Sequence, residues 1–243
     1  MRPILAPPGD SSAGRQCPPS FSVLIPAYQA ATTIGPVIFR TRLTLPNAQV
    51  IVIDDGSTDG TFDAANQSVL RHRSNLGKGA ALRTGIEAAL ANGADLIVTV
   101  DADGQHAPEE IPRLLAPLVA READLVLGSR ARSEPMPLGR RFTNWLSARL
   151  TTRIGGRHVP DAQTGFRAFT REVAERVQPS GDRYEYETAF LLDALRAGYR
   201  VASVTVPTIY GPRSHFRTWS DTWRLARVFV RQAGRITAGP GAT

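Results

Sequence analysis

Residues 96–106 read Leu-Ile-Val-Thr-Val-Asp-Ala-Asp-Gly-Gln-His, and this stretch decides the fold class. Five apolar or β-branched residues run into two carboxylates separated by one residue, and a glycine follows. A run this short that ends at a turn signal indicates a buried strand rather than a helix. Asp101 and Asp103 would then lie on a loop at the carboxyl end of the strand, where ligands bind in open α/β sheets.

Two carboxylates in one turn can converge on a hard cation. Mg²⁺ takes one or two protein carboxylates and leaves its other positions to phosphate oxygens and water. Asp101 and Asp103 therefore indicate a divalent metal that carries a diphosphate. The alternative is a polar strand-to-helix turn in which Asp103 caps a helix.

Strand and helix patterns alternate along the chain on both sides of this stretch. Strands are predicted at 21–26, 50–53, 70–74, 124–127 and 200–206. Helices are predicted at 33–43, 61–68, 78–91, 108–121, 185–197 and 221–236, and a loop at 161–169. Alternation of this kind predicts βαβ units and a mainly parallel sheet.

Length and composition indicate one large α/β domain. The chain has 243 residues, of which 42% are hydrophobic, and this is enough for a substantial core. We expect a flexible arm at 1–19, a single domain at 20–237 and a flexible tail at 238–243. No apolar run has the length of a membrane span, and residues 1–20 lack the apolar segment of a signal peptide, so we expect a cytoplasmic protein.

The charge balance points to an anionic partner. The formal net charge is +7, and Lys78 is the only lysine, so arginine supplies the remaining positive charge. Such a surplus is typical of proteins that bind nucleic acid, a phosphorylated substrate or an anionic membrane surface.

Two common nucleotide-binding motifs are absent. The sequence PAYQA follows the first predicted strand, where a dinucleotide-binding fold needs G-x-G-x-x-G. Around Lys78 the chain lacks the first glycine and the Ser/Thr of a P-loop. Carboxylate loops in place of glycine loops imply a nucleotide held partly through its base and ribose, with its phosphates held through a metal.

Seven motifs together resemble one family. In chain order they are PAYQA, VIDDGSTDGT, NLGKGAALRTGI, VDADGQHAPEEI, GSR, DAQTGFRAF and YEYETAFL. Over roughly residues 21–232 the chain resembles family 2 glycosyltransferases, most of all polyprenol-phosphate sugar transferases of the dolichyl-phosphate mannosyltransferase type. The resemblance implies the α/β class and the GT-A fold, a Rossmann-like nucleotide-diphospho-sugar transferase fold whose mainly parallel central sheet is flanked by helices.

The resemblance also implies roles for individual residues. The nucleotide would contact Pro26, Tyr28, Asp55, Lys78 and Asp101. The metal, Mg²⁺ or Mn²⁺, would be held by Asp101, Asp103 and Gln105. The acceptor phosphate would meet Arg130, Arg140, Arg141 and Arg167. The catalytic set would be Asp101, Asp103, Arg130 and Arg167.

Some of these positions carry a second interpretation. Lys78 at a helix start can meet an anion, but Gly77 and Gly79 beside it are equally well explained as shaping the turn. His106 beside Gln105 can touch a phosphate, but its interpretation as a polar turn residue is favoured. The family usually has Pro-x-Tyr-Asn-Glu after the first strand, whereas Gln29 and Ala30 follow Tyr28 here, and the lost carboxylate is expected to change nucleotide preference or lower affinity.

The expected activity is an inverting, metal-dependent transfer of a hexose, glucose or mannose, from a UDP- or GDP-sugar to a polyprenyl phosphate. One alternative is a family 2 enzyme with a hydroxyl acceptor, which would need Glu185 or Glu187 as a base. The other is a non-catalytic nucleotide-sugar-binding protein. We expect no nucleic-acid partner, because RNP-like aromatics and a zinc-ligand set are absent.

Two arginine-rich stretches suggest contact with a membrane surface. In residues 138–154 and 221–236, arginines alternate with apolar residues at helical spacing. A basic amphipathic helix is typical of lipid-surface binding, although an ordinary surface helix has a similar pattern. With a lipid acceptor in view, we expect a protein that associates peripherally with the cytoplasmic face of the membrane.

Overall fold

The computed structural model describes residues 19–66, 69–130, 164–179, 181–183 and 185–207, with the side chain of Arg130 outside the description. Its strands are β1 (Phe21–Ala27), β2 (Gln49–Asp54), β3 (Val69–Arg71), β4 (Leu96–Thr99), β5 (Leu125–Arg130), β6 (Arg167–Thr170) and β7 (Val201–Val206). Its helices are α1 (Ile34–Thr44), α2 (Thr61–Ala65), α3 (Lys78–Ala91), α4 (Ile111–Val119), α5 (Arg171–Arg176) and α6 (Glu185–Arg196). A 3₁₀ turn, Pro108–Glu110, leads into α4.

The strands form one seven-stranded sheet in the order β3-β2-β1-β4-β6-β5-β7. β6 runs antiparallel to both of its neighbours, and the other pairings are parallel. The carboxyl ends of β1, β2 and β4 therefore meet at one edge of the sheet, and β6 begins at that same edge. We call this the carboxyl edge.

Both faces of the sheet are covered by helices, so the described core has two layers. Along β1, Val23 and Ile25 pack with α1 and α4 on one face, whereas Leu24 packs with α3 and α6 on the other. All three side chains are completely buried. Burying one such aliphatic side chain contributes about 1.5–3 kcal/mol, which explains why strands covered on both faces are nearly continuous in apolar residues.

Helix α3 shows why the strongest patterns were predictable. Its bounds, Lys78–Ala91, are those expected from the sequence. Leu82, Ile86 and Ala89 recur at helical spacing and are buried against the sheet. The same periodicity in Ile111, Leu114, Leu115 and Leu118 packs α4 against the opposite face.

The prediction of a loop over 161–169 was wrong for its last residues. Arg167–Thr170 forms β6, which pairs with Val98 and Thr99 of β4 on one side and with β5 on the other. Four residues that begin with a buried arginine carry too little periodicity for a sequence pattern to indicate a strand. The two neighbouring strands determine this pairing, and it depends on contacts between distant parts of the chain.

Smaller differences concern element ends and one missed helix. The predicted strand 70–74 is Val69–Arg71, and α2 and α4 end before residues 68 and 121. Helix α5, which was not expected, begins after Thr170, whose hydroxyl accepts a hydrogen bond from the Val173 amide.

Several predictions fall on parts of the chain outside the description. They are the arm before residue 19, the tail at 238–243, the basic stretches 138–154 and 221–236, and the residues Arg140 and Arg141. The domain bounds therefore remain predictions. Within the described ranges, no helix has the length and apolar character needed to cross a membrane.

Candidate active site

The loops that follow β1, β2 and β4 meet at the carboxyl edge, as predicted. β1 contributes Pro26 and the half-exposed Tyr28, β2 leads into Asp55, and β4 leads into Asp101. The Asp55 amide donates to the Ala27 carbonyl and the Val100 amide to the Leu24 carbonyl, which ties the three loops together.

Asp55 has three hydrogen-bond donors within the protein. Its carboxylate accepts from the backbone amides of Leu76 at 2.9 Å and Gly77 at 2.7 Å, and it lies 2.7 Å from His72 Nδ1. The other ring nitrogen of His72 is 3.0 Å from the Thr84 hydroxyl. Asp55 therefore holds residues 72–77 at the end of β2 through hydrogen bonds, and these residues lead into α3.

Gln29 joins the loop after β1 to the loop after β2. Its side-chain amide both donates to the Thr58 hydroxyl and accepts from the Thr58 amide, and its own backbone amide donates to Ser57 Oγ. The φ of Gln29 is +53°, a conformation that asparagine adopts more readily than glutamine. Ala30 beside it is buried in the apolar core, so a glutamate at this position would carry its carboxylate into apolar surroundings.

Lys78, the first residue of α3, makes the closest charged contacts at the carboxyl edge. Its ammonium lies 2.5 Å from Asp101 Oδ1 and 3.0 Å from Glu187 Oε1. Burial lowers the pKa of Lys78, but the two carboxylates outweigh this effect and the pKa is raised above its ordinary value. The ammonium is therefore charged at neutral pH and binds two carboxylates from different elements.

Glycines allow α6 to approach the start of α3 closely. A Cβ at Gly79 would lie 2.7 Å from Tyr186 Cβ, so no larger residue fits there without movement. Gly77 has a φ of +104°, which favours glycine. Both glycines do shape this turn, and the close approach that they permit also brings Glu187 within reach of Lys78.

His106 is buried, contrary to its interpretation as a polar turn residue. It is 1% exposed and stacks on Phe166 with ring centroids 5.2 Å apart. Its Nε2 lies 3.9 Å from Asp101 Oδ2, on the opposite carboxylate oxygen from Lys78. Asp103 is exposed, and its carboxylate accepts from the Gln105 amide at 3.0 Å. Asp103 thus caps its own turn.

Arg167 lies at the carboxyl edge but is only 3% exposed. Its Nε donates to the Thr164 carbonyl at 2.7 Å, and its Nη1 donates to the Glu187 carbonyl at 2.5 Å. It therefore joins the segment before β6 to α6. Arg130 ends β5, three residues beyond the Leu127 that pairs with Arg167, so its backbone lies at the same edge.

The donor atoms suit a cation that shares its ligands with a phosphate. Among the described residues, no group of three or more His, Cys, Asp or Glu side chains is arranged so that it could hold a metal ion by itself. Asp101 and Asp103 supply hard carboxylate oxygens, which Mg²⁺ and Mn²⁺ accept together with phosphate oxygens and water. The residues present therefore fit a metal that binds with a diphosphate and do not form an all-protein cage.

A cleft of about 340 Å³ opens beside these loops, and the sequence analysis did not identify it. It is lined by Gly56, Ser57, Thr58, Arg71, His72 and Arg73. Arg71 forms one wall, with Nε 3.2 Å from Asp54 and the guanidinium 4.7 Å from the centre of the Phe62 ring. The run Arg-His-Arg at 71–73, inside the predicted strand 70–74, was the available signal.

Comparison with solved structures identifies the fold. The crystal structure of glucosyl-3-phosphoglycerate synthase from Mycobacterium tuberculosis with Mg²⁺ and uridine diphosphate matches with a TM-score of 0.72 at 24% identity. The match covers 89% of this chain and 80% of that one. The protein thus has the α/β architecture of GT-A glycosyltransferases, as the sequence predicted.

Comparison of sequences identifies the family. The model described as glycosyl transferase family 2 matches residues 22–178, and the chain belongs to this family. A UDP-N-acetylglucosamine–dolichyl-phosphate N-acetylglucosaminyltransferase of Methanococcus voltae is 31% identical over 77% of this chain and 85% of its own length. An undecaprenyl-phosphate mannosyltransferase of Micrococcus luteus is 30% identical over 75% of this chain and 81% of its own. The protein is therefore a glycosyltransferase, and the resemblance to polyprenol-phosphate sugar transferases is confirmed.

Proposed function

We propose that this glycosyltransferase moves a hexose, glucose or mannose, from a UDP- or GDP-sugar to a polyprenyl phosphate, with inversion and with Mg²⁺ or Mn²⁺. The observation that carries the proposal is the meeting of Asp101, Lys78 and Glu187 at the carboxyl edge, with Asp103 two residues further on. The acceptor class is supported by the two relatives, whose names specify dolichyl phosphate and undecaprenyl phosphate.

The departing nucleoside diphosphate needs its negative charge neutralised. A bound divalent metal would supply that neutralisation without moving a proton. Asp101 and Asp103, with Gln105, would hold the metal, since their oxygens lie on one turn at the end of β4. Lys78 places a second positive charge beside Asp101, where the diphosphate would enter.

The acceptor phosphate needs no general base, because a phosphate monoester is already anionic at neutral pH. The contacts of Glu187 support this part of the proposal, since its carboxylate binds Lys78 and its carbonyl accepts from Arg167. We therefore assign Glu187 the task of holding a cation and not that of a base.

The arginines divide between two tasks in this proposal. Arg130, which ends β5 at the carboxyl edge, would meet the acceptor phosphate together with Arg140 and Arg141. A planar guanidinium suits this task, because it binds phosphate bidentately and stays charged. Arg167 is instead proposed as a positioning residue, since its guanidinium binds the carbonyls of Thr164 and Glu187.

A lipid acceptor implies contact with a membrane surface. The basic stretches 138–154 and 221–236 would provide it, at the cytoplasmic face where nucleotide sugars are made available. Liposome flotation with and without anionic lipid tests this part. Flotation that does not depend on anionic lipid would show that the arginines do not bind the membrane through their charge.

A donor screen tests the proposed reaction. The purified protein is incubated with each UDP- or GDP-sugar, a short polyprenyl phosphate and Mg²⁺ or Mn²⁺, and the lipid-linked product is followed by mass spectrometry. We expect one donor to give a product whose anomeric configuration, read by NMR, is opposite to that of the donor. The polyprenol without its phosphate is the matched control, and equal transfer to it would overturn the acceptor assignment.

One observation favours a hydroxyl acceptor as a second candidate. Within the described ranges, Oε2 of Glu185 is buried and has no hydrogen-bond partner, and such a carboxylate can serve as a general base. If Glu185→Gln abolishes transfer to a sugar hydroxyl while polyprenyl phosphate is not used, this candidate replaces the first.

A further inference from the structure

Lys78 occupies the position beside Asp101 that a metal ion would approach. Its ammonium lies 2.5 Å from Asp101 Oδ1, and the side chain is 17% exposed. Glu187, whose side chain is 7% exposed, holds the same ammonium from the other side at 3.0 Å. The ammonium is thus an internal counterion for the carboxylate that the metal would need.

The backbone at the start of α3, from which Lys78 extends, is held on two sides. The Asp55 carboxylate accepts hydrogen bonds from the backbone amides of Leu76 and Gly77, directly before Lys78. The Ala80 amide donates to the Asp182 carbonyl at 3.2 Å, which anchors the first turn of α3 to the segment before α6. In the absence of a ligand, a divalent ion at Asp101 would therefore face a fixed positive charge at short range.

We infer that Lys78 makes metal binding depend on the donor nucleotide. The inference rests on the proposed function, since the donor diphosphate supplies the missing negative charge. When the diphosphate enters, its oxygens balance both cations, and Glu187 keeps Lys78 within reach of them. The metal then enters with the nucleotide and not before it.

Titration with Mn²⁺ tests this order without measuring turnover. Free Mn²⁺ is measured by its EPR signal in nucleotide-free protein and again with UDP or GDP at saturation. For the wild type we expect weak binding alone and binding at least about tenfold tighter with nucleotide. For Lys78→Met we expect nucleotide-free binding to tighten by about tenfold or more, so that the coupling shrinks. Coupling is reciprocal, so Mn²⁺ should also improve nucleotide affinity less in the variant than in the wild type.

Two further variants sharpen the titration. Lys78→Arg keeps the positive charge and should keep nucleotide-free binding weak. Glu187→Gln leaves the ammonium to Asp101 alone and should weaken nucleotide-free Mn²⁺ binding further. Unchanged Mn²⁺ affinity in Lys78→Met would overturn the inference. A wild type whose Mn²⁺ affinity does not depend on either UDP or GDP would also overturn the inference, whereas the proposed function fails only if the donor screen gives no lipid-linked product.

A measurement on the unmodified sequence covers the case in which Lys78→Met does not fold. Because Lys78 is the only lysine in the chain, protein labelled with ¹³Cε-lysine gives a single side-chain NMR signal. We expect Mg²⁺ alone to leave this signal in place and the nucleotide with Mg²⁺ to shift it. A shift of equal size with Mg²⁺ alone would contradict the inference.

Discussion

Gly165 shows how closely a single residue controls the position of Asp101. A Cβ built on Gly165 would lie 2.7 Å from the Asp101 Cγ and would overlap both carboxylate oxygens. The Gly165 carbonyl also accepts from the Thr99 hydroxyl at 2.7 Å, so the backbone there cannot easily move away. Asp101 is therefore held between this backbone, Lys78 and His106.

We expect Gly165→Ala to preserve the fold and to lower turnover by about 10²-fold, the scale on which small misplacement of reacting groups acts. Turnover is measured in the donor assay and folding by circular dichroism. Gly35→Ala in α1 is the matched control, since the nearest atom to its new Cβ is 4.0 Å away. Full activity of Gly165→Ala would show that Asp101 does not need its present position.

Replacing the exposed Asp103 tests its proposed role as a metal ligand. Asp103→Ala removes an exposed carboxylate that accepts from the Gln105 amide in its own turn, so stability should change little. Turnover should fall by at least about 10²-fold, as when a key electrostatic stabiliser is lost. If the variant keeps full activity when EDTA is present, Asp103 has no role in holding a metal.

Two elements that the sequence did not pair meet through Arg167. The segment before β6 and helix α6 contribute the Thr164 and Glu187 carbonyls, and the buried guanidinium of Arg167 donates to both. A buried carbonyl without its donor costs about 1–3 kcal/mol. Arg167 therefore contributes to the stability of the carboxyl edge as well as to its shape.

For Arg167→Ala we expect the free energy of unfolding to fall by about 2–3 kcal/mol, because two buried acceptors lose a charged donor. Urea unfolding measures the change. Arg167→Lys should recover only part of it, since a single ammonium cannot reproduce the planar fork. If Arg167→Ala is as stable as the wild type but has a raised KM for polyprenyl phosphate, Arg167 contacts the acceptor phosphate and is not a positioning residue.

Strands β5 and β7 are joined at their beginning by Asp124 and Arg200. Hydrogen bonds from the Arg200 side chain, at 2.8 and 3.0 Å, lower the pKa of the Asp124 carboxyl, and the Arg200 amide adds a further one at 2.8 Å. A carboxyl whose pKa is lower in the folded state stabilises the fold above its unfolded pKa of about 3.9. That stabilisation is lost as pH falls through the folded pKa.

We therefore expect Asp124→Asn to lower Tm at pH 7 and to have a much smaller effect near pH 2. Thermal unfolding followed by circular dichroism at both pH values provides the measurement. Asp63→Asn on the exposed face of α2 is the control and should change Tm little at either pH. An equal Tm difference at both pH values would show that the charge of Asp124 does not contribute.

Across the molecule, the sequence predicted what depends on local pattern. It predicted the parallel strands of the described sheet, apart from their exact ends, the bounds of α3 and the edge at which Asp101 would lie. It did not predict β6, because an antiparallel strand of four residues is specified by its two neighbours. It singled out Lys78 and Asp101 separately but not their ion pair, which depends on how α3 packs across β1 and β2.

The position of β6 also has a consequence for synthesis of the chain. Strand β5 leaves the ribosome before β6, yet β5 is hydrogen-bonded to β4 and the strands beyond it only through β6. β6 begins at Arg167, so the 36 residues from 131 to 166 must be made before it. At about 5–20 residues per second, this interval lasts roughly 2–7 s. During that time β1, β2, β3 and β4 can already pair, but β4 keeps one unpaired edge, and β5, whose partners β6 and β7 are not yet made, keeps two. A nascent chain with such edges is a natural client for chaperones that bind extended apolar segments.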